Sequence, residues 1–161
     1  VGTDFVLDEL VDRQTLHETH DALEALLTSR RLAGPAGRTI AARSPFRGRT
    51  IDKEVSSYAT WVLKETDMRL GVCDWGFCVY RRETAACRGG EKGPNPTLRT
   101  ESVCLGCKNF SVTDRHVSFW EARLARNMAL LKRDDLDPVT RDLAQTRVEE
   151  TRRLLEELRH D

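Results

Sequence analysis

The five cysteines of this 161-residue chain all lie in one stretch that begins at Cys73 and ends at Cys107, and this clustering restricts the fold more than any other sequence feature. Cys104 and Cys107 form a Cys-x2-Cys pair, whose two sulfurs can bind one ion from a tight turn. Cys73, Cys78 and Cys87 lie upstream and can supply further ligands. The spacing therefore predicts a metal site that joins separate parts of the chain.

Zinc is the metal that this set of thiols favours. The number of cysteines is odd, and the first residues lack the basic and apolar order of a secretory signal, so a disulfide framework is the weaker interpretation. Reduced thiols bound to Zn²⁺ in the cytoplasm fit better. No run of about 18 apolar residues occurs, which predicts that no segment spans a membrane.

Thiolates in this number fill a tetrahedral zinc site completely, which is typical of structural rather than catalytic zinc. The Cys-x2-Cys pair supplies two ligands directly. Cys78 is the third, since it belongs to either upstream pairing, with Cys73 or with Cys87. Spacing leaves the fourth ligand open, and the candidates are Cys73, Cys87 and His116.

Other chemistry is weakly supported. A redox role for the Cys-x2-Cys pair would need a strand and helix in a βαβ setting, and no such pattern surrounds it. Gly-rich phosphate loops, GxSxG and HExxH are absent from the sequence. His17 and His20 could form a second metal face with Asp21 and Glu24, but such a pair is more simply explained as solvated surface.

The N-terminal part is predicted to be helical, with an arginine-rich loop. Thr15 and Glu18 have the spacing of a capping box, and Gly34 with Pro35 ends the leucine periodicity that follows. Residues 34–50 contain glycine, proline and arginine without a sustained period, which predicts a loop or linker.

A second helix is predicted after the arginine-rich loop. Thr50 or Asp52 is its expected N-cap, and the residues that form its apolar face are Ile51, Val55, Tyr58, Ala59, Val62 and Leu63.

The C-terminal part combines a short hairpin with two helices. Residues 71–80 have the alternating and aromatic character of strands. After the Cys-x2-Cys pair, Thr113 and Asp114 cap a helix, and Asp137 with Pro138 begins the last one. The expected apolar positions of these two helices are Val117, Trp120, Leu124, Met128 and Leu131, then Val139, Leu143, Val148, Leu155 and Leu158.

The predicted fold class is therefore mainly α. Helices flank a small zinc-stabilised lobe of β-hairpin and loop, and the chain ends in an antiparallel helical hairpin. Residues 1–70 form an N-terminal helical segment that contains the arginine-rich loop 30–50, and residues 71–161 form the zinc lobe with the C-terminal hairpin.

Charge is distributed unevenly along a chain whose net charge is zero. The first 29 residues are rich in Asp and Glu, whereas residues 30–49 contain six arginines and no acid. Guanidinium groups match phosphate oxygens bidentately, so this run is a candidate nucleic-acid contact. The alternative is a solvated loop that faces its acidic neighbour. The candidate residues are Arg38, Arg43, Arg47 and Arg49.

The stretch from Trp75 to Trp120 resembles a cysteine-rich segment in the C-terminal parts of bacterial and phage site-specific integrases and transposases of the tyrosine recombinase family. The residues that carry the resemblance are Gly76–Arg81, Glu83–Cys87, Gly93–Pro96, Cys104–Phe110, His116 and Trp120. The Cys-x2-Cys-x-Asn-Phe piece is its most specific part, and the likeness covers about the last half of the chain. It implies a zinc-binding appendage beside or after a catalytic domain, with Cys78, Cys87, Cys104 and Cys107 as ligands.

The resemblance does not extend to catalysis. A tyrosine recombinase needs a HxxR stretch and a tyrosine nucleophile, yet this chain has no HxxR, and Tyr58 and Tyr80 are explained by packing. The expected function is a non-catalytic zinc-binding accessory domain of a DNA integrase or transposase, which contributes DNA binding or contacts within a homo-oligomer. The alternative is a zinc-stabilised helical protein-interaction module unrelated to recombination.

Overall fold

A computed structural model describes residues 18–66, 68–81, 84–89, 94 and 98–159 of the chain. Most of these residues are helical, and the strands form a small antiparallel sheet, which confirms a mainly α fold. The predicted capping residue Thr15 lies outside the described residues, as does His17.

The helices and strands follow one another in a simple order. They are α1 (residues 18–28), β1 (Leu32–Ala33), α2 (Pro35–Arg43), α3 (Lys53–Glu65), β2 (Arg69–Cys73), β3 (Gly76–Tyr80), α4 (Glu101–Leu105), β4 (Phe110–Thr113), a 3-10 turn (Asp114–His116), α5 (Val117–Leu131) and α6 (Pro138–Arg159).

The sheet has the strand order β1-β4-β3-β2, and every neighbouring pair is antiparallel. Its register places Cys78 of β3 opposite Phe110 of β4 and Gly71 of β2. Leu32 in β1 lies opposite Thr113, so one sheet contains strands from both sides of the predicted boundary at residue 70. That boundary falls inside β2.

The sheet separates two apolar cores, because alternate residues of a strand point to opposite faces. On one face, Phe110 packs in a core with Trp120 of α5 and with leucines of α6. On the other face, Phe77 packs against Leu26 of α1. A third cluster joins α1 to α3, where the buried residues are Leu23, Ala59 and Val62.

The segment 34–50 is not all loop, and this prediction was wrong for α2. Pro35 occupies the first turn, where its missing N–H is tolerated. Gly37 is buried, and a Cβ atom there would lie 3.3 Å from the Ser111 side chain and 3.4 Å from that of Leu32. The close approach of α2 to the sheet thus depends on small residues, which leave no apolar periodicity in the sequence.

The caps of α3 and α6 are the predicted ones. The Asp52 side chain accepts a hydrogen bond from the Val55 N–H at 3.0 Å. Asp137 accepts from the Thr140 N–H at 2.9 Å, and Pro138 begins α6. Both carboxylates satisfy N–H groups that a helix N-terminus leaves unpaired.

The buried stripe of α5 differs from the predicted apolar face. Its buried residues are Trp120, Arg123 and Asn127, while Met128 is 36% exposed. In α6, Val139 and Leu143 are 69% and 51% exposed, and the buried residues are Ala144, Val148, Thr151, Leu154, Leu155 and Leu158. Apolar periodicity was right for Trp120, Val148, Leu155 and Leu158, which are buried, and wrong for Met128, Val139 and Leu143. Polar side chains occupy part of the contact between the two helices.

Candidate metal centre

Four cysteines line one small cavity on the Trp120 side of the sheet. They are Cys78, Cys87, Cys104 and Cys107. All four are buried, with at most 9% of their surface exposed, and none forms a disulfide. The cavity volume is about 10 Å³, which is room for one water-sized occupant.

The Cys-x2-Cys turn is built by the short helix α4. Thr100 caps this helix by accepting a hydrogen bond from the Val103 N–H at 3.3 Å. At its other end the Gly106 N–H donates to the Val103 carbonyl, and the Cys107 N–H donates to the Cys104 carbonyl at 3.0 Å. The turn therefore directs the Cys104 and Cys107 side chains to the same cavity.

Asn109 connects this turn to the loop that carries Cys87. Its side-chain Nδ2 donates to the Arg81 carbonyl at 2.9 Å, and its Oδ1 accepts from the Thr84 hydroxyl at 2.6 Å. The loop also contacts a sulfur directly, since the Ala86 N–H donates to the Cys107 Sγ at 3.5 Å. An N–H group aimed at a sulfur favours the thiolate form that binds metals.

Burial raises the pKa of Cys78 to about 12, with smaller contributions from neighbouring thiols that include Cys107 and Cys104. The pKa of Cys104 is also raised by burial, although the Trp75 indole and Arg99 oppose the shift. The metal-free Cys78 and Cys104 thiols are therefore protonated at neutral pH. A divalent cation reverses this preference, because it binds the thiolate.

The alternative fourth ligands, Cys73 and His116, do not line the cavity. Cys73 is half-buried at the end of β2, where it pairs with Gly76, and it does not line the cavity. Burial raises its pKa to about 11.

His116 packs edge-on against the ring of Phe77, with ring centroids 4.6 Å apart. Phe77 and Cys78 are consecutive in β3 and point to opposite faces of the sheet. His116 Nδ1 accepts from the Thr113 N–H at 3.1 Å in a capping box. Burial lowers the pKa of His116 to about 4, so the ring is neutral near pH 7.

The cysteine sulfurs are not yet at metal-binding distances. Among the described residues, no three of these sulfurs lie within 4.8 Å of one another. In a tetrahedral zinc site the sulfurs are about 3.8 Å apart, given a Zn–S bond of about 2.3 Å. The donor set and the burial suit zinc, and the side chains would have to converge on the ion.

His20, Asp21 and Glu24 do have their ligand atoms within 4.8 Å of one another. However, His20 Nδ1 is 3.1 Å from Glu24 Oε1, and its Nε2 is 3.1 Å from the Ser56 carbonyl and from the Thr60 hydroxyl. Both ring nitrogens are therefore occupied in a contact between α1 and α3. His20 thus lies in a part-buried contact between helices and not on the solvated surface that the simpler interpretation expected.

The four candidate arginines are mostly engaged within the chain. Arg38 pairs with Glu157, and Arg49 pairs with Asp52 and Glu54. Arg47 donates to the Arg30 carbonyl at 2.6 Å. Arg43 makes no ion pair or hydrogen bond with the described residues, and it is exposed.

Arg123 is a site-supporting residue that the sequence did not reveal. It is 2% exposed and donates to the Thr151 hydroxyl at 2.7 Å and to the Ser102 hydroxyl at 3.0 Å. These bonds join α5 and α6 to α4, the helix that carries Cys104. Its carbonyl also accepts from Asn127 at 2.8 Å, and no periodic signal could have shown this network.

Within the described residues, no helix is long and apolar enough to cross a membrane. Comparison with protein-family models, with curated proteins and with solved structures finds no match to this chain.

Proposed function

We propose that the chain is a non-catalytic module held together by one structural Zn²⁺ ion, which Cys78, Cys87, Cys104 and Cys107 bind. The observation that carries the proposal is that four buried thiols line one cavity of about 10 Å³. They come from a strand, a loop and a helical turn, so one ion would connect three elements. Bound zinc would supply cross-linking and no reaction step, because four thiolates leave no open position.

Metal content tests this directly. Protein purified without added metal is analysed for zinc, and its reactive thiols are counted before and after chelation. The expected result is about one zinc per chain, with four thiols that become reactive only after chelation. Metal-free protein with oxidised cysteines would overturn the proposal.

The wider role follows from the resemblance to integrases and transposases. We propose that the module belongs to such a recombinase and contributes DNA contacts or contacts between protomers. Arg43 supports the DNA part, since it is exposed and makes no ion pair or hydrogen bond with the described residues. An anisotropy titration with duplex DNA should show binding that weakens as salt rises. Absence of binding at low salt would overturn the DNA part alone.

The second candidate is a protein-interaction module with the same zinc site. Exposed apolar side chains favour it, above all Val139 and Leu143, which lie one turn apart on α6 and are 69% and 51% exposed. The double substitution of both residues by serine should leave the fold intact and abolish self-association in sedimentation experiments. A wild-type chain that is monomeric throughout would count against self-association through this patch.

A further inference from the structure

Trp75 is held firmly beside the cysteine cavity. It lies in the two-residue turn between β2 and β3, and its ring packs against Phe119 with centroids 5.8 Å apart. Its carbonyl accepts a hydrogen bond of 2.7 Å from Nε1 of Trp120, which is fully buried. Both the backbone and the ring of Trp75 are therefore fixed by contacts with α5.

The indole N–H of Trp75 has no ordinary partner. Its Nε1 is buried and makes no hydrogen bond of normal geometry within the described part of the chain. A buried donor without a partner is unfavourable, so such groups need an explanation. Trp75 packs against the buried cluster that contains Cys104 and Cys107, and Cys104 is the thiol within reach of its indole N–H.

We propose that the Trp75 indole N–H donates a hydrogen bond to the Cys104 thiolate when the cysteine cluster holds a metal ion, and that it sets the metal affinity of the site. This inference rests on the proposed zinc site. A thiolate is a much stronger acceptor than a thiol, since hydrogen bonds to charged groups are shorter and stronger. The indole N–H, which makes no hydrogen bond of ordinary geometry to the thiol, would thus gain a strong acceptor in the metal-bound state.

The site then has a donor for each sulfur of the Cys-x2-Cys pair. The Ala86 backbone N–H reaches the Cys107 sulfur at 3.5 Å, and the Trp75 indole serves Cys104. Groups that bond to metal ligands hold them in orientation, and their loss typically lowers metal affinity by about 10–100-fold. Trp75 is accordingly a positioning residue, because it acts on the metal only through Cys104.

Two indoles provide a matched pair of variants. Trp75→Phe removes the N–H and keeps an aromatic ring against Phe119. Trp120→Phe also removes one indole N–H, but that group donates to the Trp75 carbonyl and not to a sulfur. Zinc affinity is measured by competition with a chelator, and Co²⁺ replaces zinc so that the thiolate-to-metal charge-transfer band reports on the sulfurs.

Trp75→Phe should weaken Zn²⁺ binding by about tenfold and shift the Co²⁺ charge-transfer band. Trp120→Phe should lower the stability of the metal-free and metal-bound protein alike, and it should shift the band less than Trp75→Phe does, because it only loosens the Trp75 backbone and keeps the Trp75 N–H. If Trp75→Phe folds poorly, 3-benzothienylalanine at position 75 keeps the bicyclic shape without the N–H and should give the same result. Wild-type affinity and an unshifted band in either variant at position 75 would overturn the inference.

A wild-type chain that binds neither ion would overturn the zinc site itself, and this proposal with it. The two failures are distinguishable. If only the Trp75 proposal is wrong, the wild-type chain binds metal and the variants at position 75 bind it equally well.

Discussion

The side-chain amide of Asn109 donates a hydrogen bond of 2.9 Å to the carbonyl oxygen of Arg81. This bond connects the Cys-x2-Cys turn to the chain that leads from β3 to Cys87. Asn109 is 3% exposed, and its Oδ1 accepts a second hydrogen bond from the Thr84 hydroxyl. Both the nitrogen and the oxygen of the side-chain amide are therefore hydrogen-bonded. Asn109, two residues after Cys107, therefore fixes the segment that carries Cys87 relative to the Cys-x2-Cys turn.

Asn109→Ala should lower the free energy of unfolding by about 1–3 kcal/mol, because the Arg81 carbonyl and the Thr84 hydroxyl lose their buried partner. Metal affinity should fall as well, since the Cys87 loop would be less ordered. Chemical denaturation with and without chelator measures both effects. Lys108→Ala, at the exposed neighbouring position, is the control and should behave like wild type. Equal stability of the two variants would contradict this role.

Serine substitutions identify the ligands. Cys73→Ser should keep one tightly bound zinc, since Cys73 does not line the cavity. Serine at Cys78, Cys87, Cys104 or Cys107 should abolish tight binding, because a hydroxyl is a poor zinc ligand. Elemental analysis after dialysis measures the result. If Cys73→Ser loses zinc and Cys87→Ser retains it, Cys73 and not Cys87 is the fourth ligand.

Zinc affinity should decrease as pH falls. In the metal-free protein, burial raises the pKa of Cys78 to about 12, so this thiol is protonated across the physiological range. Each protonated ligand must release its proton to bind, and acidification therefore favours the metal-free state. Chelator competition at about pH 6, pH 7 and pH 8 should give progressively tighter binding, with proton release detected in weak buffer. An affinity independent of pH would exclude thiol ligands.

Arg123 should be essential for stability. Arg123→Met removes the donors to Thr151 and Ser102 and leaves Glu150 Oε2, a buried oxygen 3.7 Å from the guanidinium, without its cation. We expect a loss of about 2–4 kcal/mol in urea denaturation. Arg123→Lys keeps the charge without the planar fork and should recover only part of this loss. If Arg123→Met is as stable as wild type, apolar packing can replace the hydrogen bonds and the ion pair of Arg123.

Local signals predicted the local parts of the fold. The alternating residues 71–80 correspond to the hairpin of β2 and β3, and the Asp52 and Asp137 caps were found because a cap depends on residues only three positions apart. The strands β1 and β4 were missed, since a strand of two to four residues has too few positions to show a period. Their pairing is set by the sheet as a whole.

The cysteines of the candidate site could be predicted from the sequence, but the residues that hold them in place could not. Cysteine is conspicuous in sequence, and the four predicted ligands do line one cavity. Asn109 and Trp75 were visible only as part of a resemblance, because their partners lie 28 and 29 residues away, at Arg81 and Cys104. Arg123 and Thr151 were not among the predicted core positions of the two helices, since burial of a polar side chain depends on a partner that periodicity cannot specify.

The buried ring of His116 should make stability sensitive to acid. Burial lowers the pKa of His116 to about 4, below its ordinary value near 6.5. Between these two values the unfolded chain binds a proton that the folded chain does not, so protonation favours unfolding as pH falls from about 6.5 to about 4. His116→Gln keeps an acceptor for the Thr113 N–H, because glutamine is a usual residue at this capping-box position, and it does not titrate.

Urea denaturation of wild type and His116→Gln at about pH 7, pH 5.5 and pH 4.5 isolates this effect, since loss of zinc and titration of carboxylates act on both proteins alike. The stability of wild type relative to the variant should decrease steadily on acidification. Parallel curves would mean that the histidine is accessible to protons in the folded chain, and that the edge-on contact with Phe77 does not exclude the charged ring.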